Sequence, residues 1–213
     1  APGTIDGKGK KLFLGSDDPD RDWRDLSMNY KTCGYILEGP EYLTIFSGTT
    51  GGELHTIPYE VKRGEVSYWG DSYGNRVDRF LACVAYLDGV RPSVVMCRGY
   101  YAKTTLVAYD FINGKLVKRW EHISDIKGEG TYGQGNHNLA VADVDGDGCD
   151  EIIYGSCAIN NDGTLLYRTG LGHGDAMHVA NLDPDRPGYQ VWEVHEENEA
   201  WQTYGYEMHD ART

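Results

Sequence analysis

The chain has 213 residues, 40% of them hydrophobic, and carries a formal net charge of −13. That length supplies one sizeable core or a share of a larger repetitive one, and so acidic a surface repels phosphate backbones, which excludes nucleic acid as a partner. No apolar run approaches the roughly 20 residues of a membrane span, so no membrane partner is expected.

Glycine is abundant at 28 and tyrosine at 16, against 7 prolines, a balance that suits short strands joined by tight turns. In chain order, Tyr42–Phe46 turns through Gly51 and Gly52 into Leu54–Ile57. Leu81–Leu87 passes an Asp88-Gly89 turn into Ser93–Met96, and Leu106–Tyr109 turns through Asn113-Gly114 into Leu116–Trp120. Asn-Gly between two strands is a strong hairpin signal. Leu139–Ala142 leads through an Asp-rich turn to Glu151–Tyr154, and Met177–Ala180 leads through another to Gln190–Val194. Tyr206–Asp210 reads as the first arm of a further hairpin. The two units alternate, giving four-stranded blades spaced roughly 40 to 60 residues apart, the pattern of an all-β propeller. Three to four blades are expected, too few to close a ring; a β-sandwich with similar hairpins is the competing all-β arrangement. The chain begins at Ala1 without an initiator Met, and both ends read as cuts through a longer protein. Residues 1–213 are therefore read as one partial propeller domain, truncated at both ends. The five cysteines (Cys33, Cys83, Cys97, Cys149 and Cys157) include no CxxC pair, and Cys83 and Cys97 sit in apolar runs as small buried hydrophobes.

The sequence DVDGDGCDE at 143–151 places Asp143, Asp145 and Asp147 at alternate positions of a tight loop. Gly146 and Gly148 permit the turn, the Cys149 carbonyl can supply a further oxygen, and Glu151 can close the shell. Hard oxygen donors in this number suit Ca²⁺, and the strand that follows distinguishes the loop from an EF-hand. Asp183 and Asp185, with a carbonyl near Tyr189, form a weaker version, which an ordinary acidic turn explains equally well. A third set comes from separate blade edges: His137, His173, Asp175, and the acids that follow His195 at Glu196 and Glu197. Flanking glycines let the backbone pass close to a ligand there. By spacing alone these are ordinary polar residues or a metal site, and mixed His and carboxylate ligation is also open to Zn²⁺ or Mn²⁺.

The runs PEYLTIF (40–46), WGDSYGNRVDR (69–79), VMCRGYY (95–101), GQGNHNL (133–139), DVDGDGCDE (143–151) and GHGDAMH (172–178) closely resemble polysaccharide lyase family 11, the rhamnogalacturonan lyases. The likeness runs over nearly the whole chain, with six separated motifs in order. It implies part of an eight-bladed propeller that holds several Ca²⁺ ions around a central cleft. It also implies cleavage of the rhamnose–galacturonate bond of rhamnogalacturonan I by β-elimination, outside the cell, in a protein monomeric at full length. The family's cleft calcium ligands fall on His137, His173, Asp175 and Glu196. Family members are much longer than this chain, which resembles their middle, so a complete active site is not expected from this stretch alone.

β-Elimination needs a base for the C5 proton of galacturonate and positive charge to stabilise the enolate-like C6 carboxylate. An acidic protein that binds a polyuronate must supply local cations. Arg76 with Asn75 beside it, and Arg98, lie in glycine-containing loops suited to carboxylate recognition, and Tyr100 and Tyr101 are suited to stack on sugar faces. For Arg76 and Arg98 the structural alternative is an ion pair with Asp71 or Asp78. No residue is assigned as the base. A non-catalytic calcium-stiffened propeller that binds glycan or protein accounts equally well for the Asp143 loop. Only the His137, His173, Asp175 and Glu196 set separates the two readings.

Overall fold

The computed structural model describes residues 1–196, 203 and 205–213; Glu197 lies outside them. It is an all-β chain. The hairpin β1 (Tyr42–Phe46) and β2 (Glu53–Pro58) is followed by two short 3₁₀ turns, Val66–Trp69 and Gly74–Asp78. An antiparallel meander then runs β3 (Phe80–Ala85), β4 (Ser93–Arg98), β5 (Thr104–Ile112) and β6 (Lys115–Ser124). A second comprises β7 (Gly135–Ala142), β8 (Glu151–Gly155), β9 (Cys157–Ile159) and β10 (Leu165–Arg168). The third has β11 (Gly174–Ala180), β12 (Gln190–His195) and β13 (Tyr206–Asp210).

Local chemistry sets the turns. The β5–β6 hairpin pairs Ile112 with Lys115 across two residues, and Asn113 and Gly114 both take positive φ, 51° and 76°. That backbone matches the strand twist and is tolerated by Asn and Gly. The β9–β10 hairpin escaped the sequence pattern because its first arm is only three residues long. A compact turn closes it, with the Asn160 N–H donating to the Thr164 carbonyl at 2.8 Å.

The middle strands of the first two meanders are buried on both faces, which is why they are almost continuously apolar rather than alternating. On β5, Leu106 and Ala108 join one core with Ile152, Tyr154 and Ile159 of the second meander. Val107 and Tyr109, on the opposite face, pack with Leu43, Trp69 and Val77. On β8 the same alternation sends Ile152 and Tyr154 toward the first meander and Ile153 toward Met177 and Val191 of the third. Each such side chain contributes about 1.5–3 kcal/mol through burial. The first strands of consecutive meanders lie side by side: β3 runs beside β7, and β7 meets β11 in parallel at the single pair Asn136 and Gly174. All five cysteines are free, with Cys97 and Cys157 fully buried as core residues.

Candidate metal centre and substrate groove

The place where β7 meets β11 gathers the histidines. Gly174 faces Asn136 on β7 and His195 on β12, so the start of β11 lies between the start of β7 and the end of β12. Glycine is required: a Cβ on Gly174 would stand 2.3 Å from the Val194 carbonyl oxygen, and one on Gly135 would stand 2.5 Å from Tyr100 Cβ. One donor atom from each of His137, His173, Asp175 and Glu196 falls within 4.8 Å of the others.

His173 is fully buried, and its Nδ1 lies 2.5 Å from the Gly135 carbonyl oxygen. A carbonyl only accepts, so Nδ1 carries the proton and Nε2 presents a lone pair. That Nε2 stands 3.3 Å from the Glu196 carboxylate and makes no hydrogen bond among the described residues. Burial pulls the His173 pKa down to about 4, outweighing the Gly135 hydrogen bond, and keeps the ring neutral, the form that binds metal. His137 Nδ1 lies 3.7 Å from Asp175, while its Nε2 is 2.9 Å from the Tyr101 hydroxyl. With Nε2 donating to Tyr101, Nδ1 is free to ligate. A buried, unpartnered imidazole nitrogen facing two carboxylates and a second imidazole fits a divalent cation.

The Asp143 loop is a different construction, made from one contiguous segment. Asp143 accepts from the N–H groups of Gly146 at 2.7 Å and Gly148 at 3.0 Å; Asp145 accepts from Asp147, and Asp147 from Cys149. Donor atoms of Asp143, Asp145 and Glu151 converge within 4.8 Å, without a side-chain atom from Asp147. Glu151 is fully buried. One oxygen accepts from the Val144 N–H at 2.9 Å, and the other has no partner. Burial, reinforced by the neighbouring aspartates, lifts its pKa to about 7, partly offset by the Val144 N–H, which is the situation a bound cation relieves. Asp150 accepts from the Tyr86 N–H at 2.6 Å and ties this loop to the β3–β4 turn.

Two expectations need correction. Arg98 does not reach a substrate. It is fully buried and donates to the Val77 and Val61 carbonyls and to both oxygens of Glu41, pinning the 3₁₀ turns and the β1–β2 hairpin onto β4. Tyr100 is also buried, and its ring stacks on His173 at 5.5 Å and 8° rather than lying open to a sugar. Asp183 accepts from the Asp185 N–H and pairs with Arg186 at 3.4 Å, and neither acid joins a set of three donors among the described residues. Asn75 lies in the second 3₁₀ turn with its Oδ1 buried and unpartnered. Arg76 forms a two-pronged pair with Asp71 at 2.8 and 3.2 Å and covers the Tyr101 ring at 4.1 Å.

Arg76 and Tyr101 also line a groove of about 520 Å³ whose other walls include Asp71, Lys127, Gln134 and Arg168. Lys127 and Arg168 were missed from the sequence. The available signal was weak: a lysine in the glycine-bounded turn 125–130 and an arginine ending a strand, in a chain with few basic residues.

The model of rhamnogalacturonan lyase family 11, C-terminal domain, matches residues 1–213. The chain is 58% identical to rhamnogalacturonan exolyase YesX and 56% identical to rhamnogalacturonan endolyase YesW, both of Bacillus subtilis strain 168. Each match covers the whole chain and 33% of the relative, so the chain spans about a third of the length of these relatives. A solved Bacillus licheniformis rhamnogalacturonan lyase superimposes with a TM-score of 0.90 at 58% identity, covering 100% of this chain and 35% of that one. By this match and by its motifs, the chain belongs to rhamnogalacturonan lyase family 11.

Proposed function

We propose that this chain forms part of a secreted, calcium-dependent lyase that splits the rhamnose–galacturonate bond of rhamnogalacturonan I by β-elimination. The observation that carries the reading is His173: buried, neutral, its Nε2 unpartnered and facing His137, Asp175 and Glu196 beside a groove lined by cations. The names of the relatives, exolyase and endolyase, supply the substrate class. In this reading the stacked meanders are blades of a propeller, consistent with their two-sided burial and adjacent first strands.

The chain's own residues divide the work. His137, His173, Asp175 and Glu196 would hold Ca²⁺ at the cleft, and Asp143, Asp145 and Glu151 would hold another that fixes a loop between meanders. When bound, the cleft ion supplies positive charge for the galacturonate carboxylate whose C5 proton is removed. Arg76, Lys127 and Arg168 give an otherwise acidic protein a local cationic surface that receives uronate carboxylates. Tyr101 orients His137 and offers a ring edge to the groove. Tyr100 and the Gly135 carbonyl hold the His173 ring in place.

The test is ultraviolet absorbance of the unsaturated uronate released from rhamnogalacturonan I by the protein that carries this chain. Product formation that stops with chelator and resumes with calcium is expected. A folded, calcium-loaded protein that releases no unsaturated product would overturn the lyase reading.

A further inference from the structure

Strand alternation at the cleft has a second consequence. His137 on β7 and Glu196, the residue just after β12, point to the cleft, so their neighbours Asn136 and His195 point to the opposite side. There a second donor set gathers: Glu193, His195 and Glu207, with one donor atom from each inside 4.8 Å. Glu193 and His195 are two residues apart on β12, hence on one face, and Glu207 of β13 sits directly opposite Glu193 in the strand pairing.

We infer that Glu193, His195 and Glu207 form a buried divalent-cation site, separate from the cleft set and from the Asp143 loop. Two carboxylates directly opposed across an antiparallel pair are destabilising without a counter-charge. Glu193 is fully buried and His195 nearly so, and neither acid pairs with a lysine or arginine among the described residues. Neither ring nitrogen of His195 has a hydrogen-bond partner there, nor does the Oδ1 of Asn136. His195 Nε2 lies 3.6 Å from Glu193 and 3.9 Å from Glu207. Donors about 2.0–2.4 Å from a metal ion are about 2.8–3.4 Å apart along an octahedral edge and about 3.3–3.9 Å along a tetrahedral one, so the observed separations need at most a modest closure to accommodate the ion.

The surroundings hold these donors in place. Glu193 accepts from Ser156 at 2.7 Å and from the Asn136 amide at 3.1 Å. His209 Nδ1 lies 2.9 Å from Glu207, and its Nε2 is 3.0 Å from the Tyr167 hydroxyl. Outer partners of this kind fix a ligand's orientation. A lone imidazole with two carboxylates suits Mn²⁺ or Zn²⁺ as well as Ca²⁺.

The experiment is equilibrium dialysis with elemental analysis, run separately with Ca²⁺, Mn²⁺ and Zn²⁺, on the wild-type protein and on Glu207→Gln, Glu193→Gln and His173→Ala. Gln at 207 keeps an acceptor for His209, so that variant retains its fold, checked by circular dichroism. With at least one cation, the wild type should hold one equivalent more than folded Glu207→Gln. His173→Ala should lose a different equivalent, so that the two losses add in the double variant. Wild-type stoichiometry in folded Glu207→Gln with all three cations overturns the site, as does a Glu193→Gln variant that folds and binds as the wild type does. Neither result depends on lyase activity.

Discussion

The Asp143 loop and the cleft set make similar use of acids and are assembled in different ways. The loop draws its donors from nine consecutive residues, with glycines at 146 and 148 in positive φ and side chains turned inward by hydrogen bonds to their own backbone. The cleft set draws its donors from three segments spread from His137 to Glu196, and it exists only because β7, β11 and β12 meet. A contiguous loop is preorganised by local geometry and serves as a brace. A converged set is preorganised by the fold, and its shape depends on every strand that meets there. Disrupting the loop should therefore affect stability, and disrupting the cleft set should affect chemistry.

The largest effect tests the scaffold under both. Arg98→Met strips the donor from the Val61 and Val77 carbonyls and leaves Glu41 paired with Arg63 alone, and a loss of about 2–4 kcal/mol in unfolding free energy is expected from chemical denaturation. A well-folded Arg98→Met protein with a raised KM would instead return Arg98 to the substrate. Next comes the cleft: His173→Ala should lower lyase turnover by about 100-fold or more with only a modest change in melting temperature. A variant that melts early but turns over normally would make the cleft set a brace like the loop. Glu151→Gln should do the reverse. Calcium at a hundred times its Kd stabilises the wild type by about 2.7 kcal/mol per site, and the variant should lose that increment in calcium-dependent melting while its turnover with calcium stays near wild type. The smallest effect is expected for Tyr101→Phe, which removes the hydroxyl that orients His137. A loss of about 10-fold in cleft-metal affinity or turnover, with no change in the calcium-dependent melting increment of the loop, separates the two regions most finely.

Much of this molecule was legible from its residues because the signals were local. Asn113-Gly114 marked a hairpin through its backbone requirement, and the alternating Asp residues at 143–147 marked a tight turn whose carboxylates fold back on their own backbone. The period-2 runs placed β1 to β8 and β11 to β13 to within a few residues. The Glu193 and His195 pair was within reach of the same logic, since two residues on a strand share a face, although its partner Glu207 came only with the register of β13. Arg98 and Tyr100 went wrong for a related reason. A glycine-containing motif shows where the backbone bends, but not which side of the bend faces water. Asp183 and Asp185 repeat the spacing of the Asp143 loop, with Arg186 paired to Asp183.

What the sequence determined by itself was whatever neighbouring residues impose on one another: strand periodicity, turn chemistry and acidic loop geometry. The six motifs added the family. Tertiary structure alone decided which side chains share a space. Non-local strand pairing brings Gly174 against Asn136 and His195, buries Arg98 completely, and turns His173 Nε2 toward Glu196. Those contacts depend on register and on the stacking of meanders, which no short window of sequence encodes.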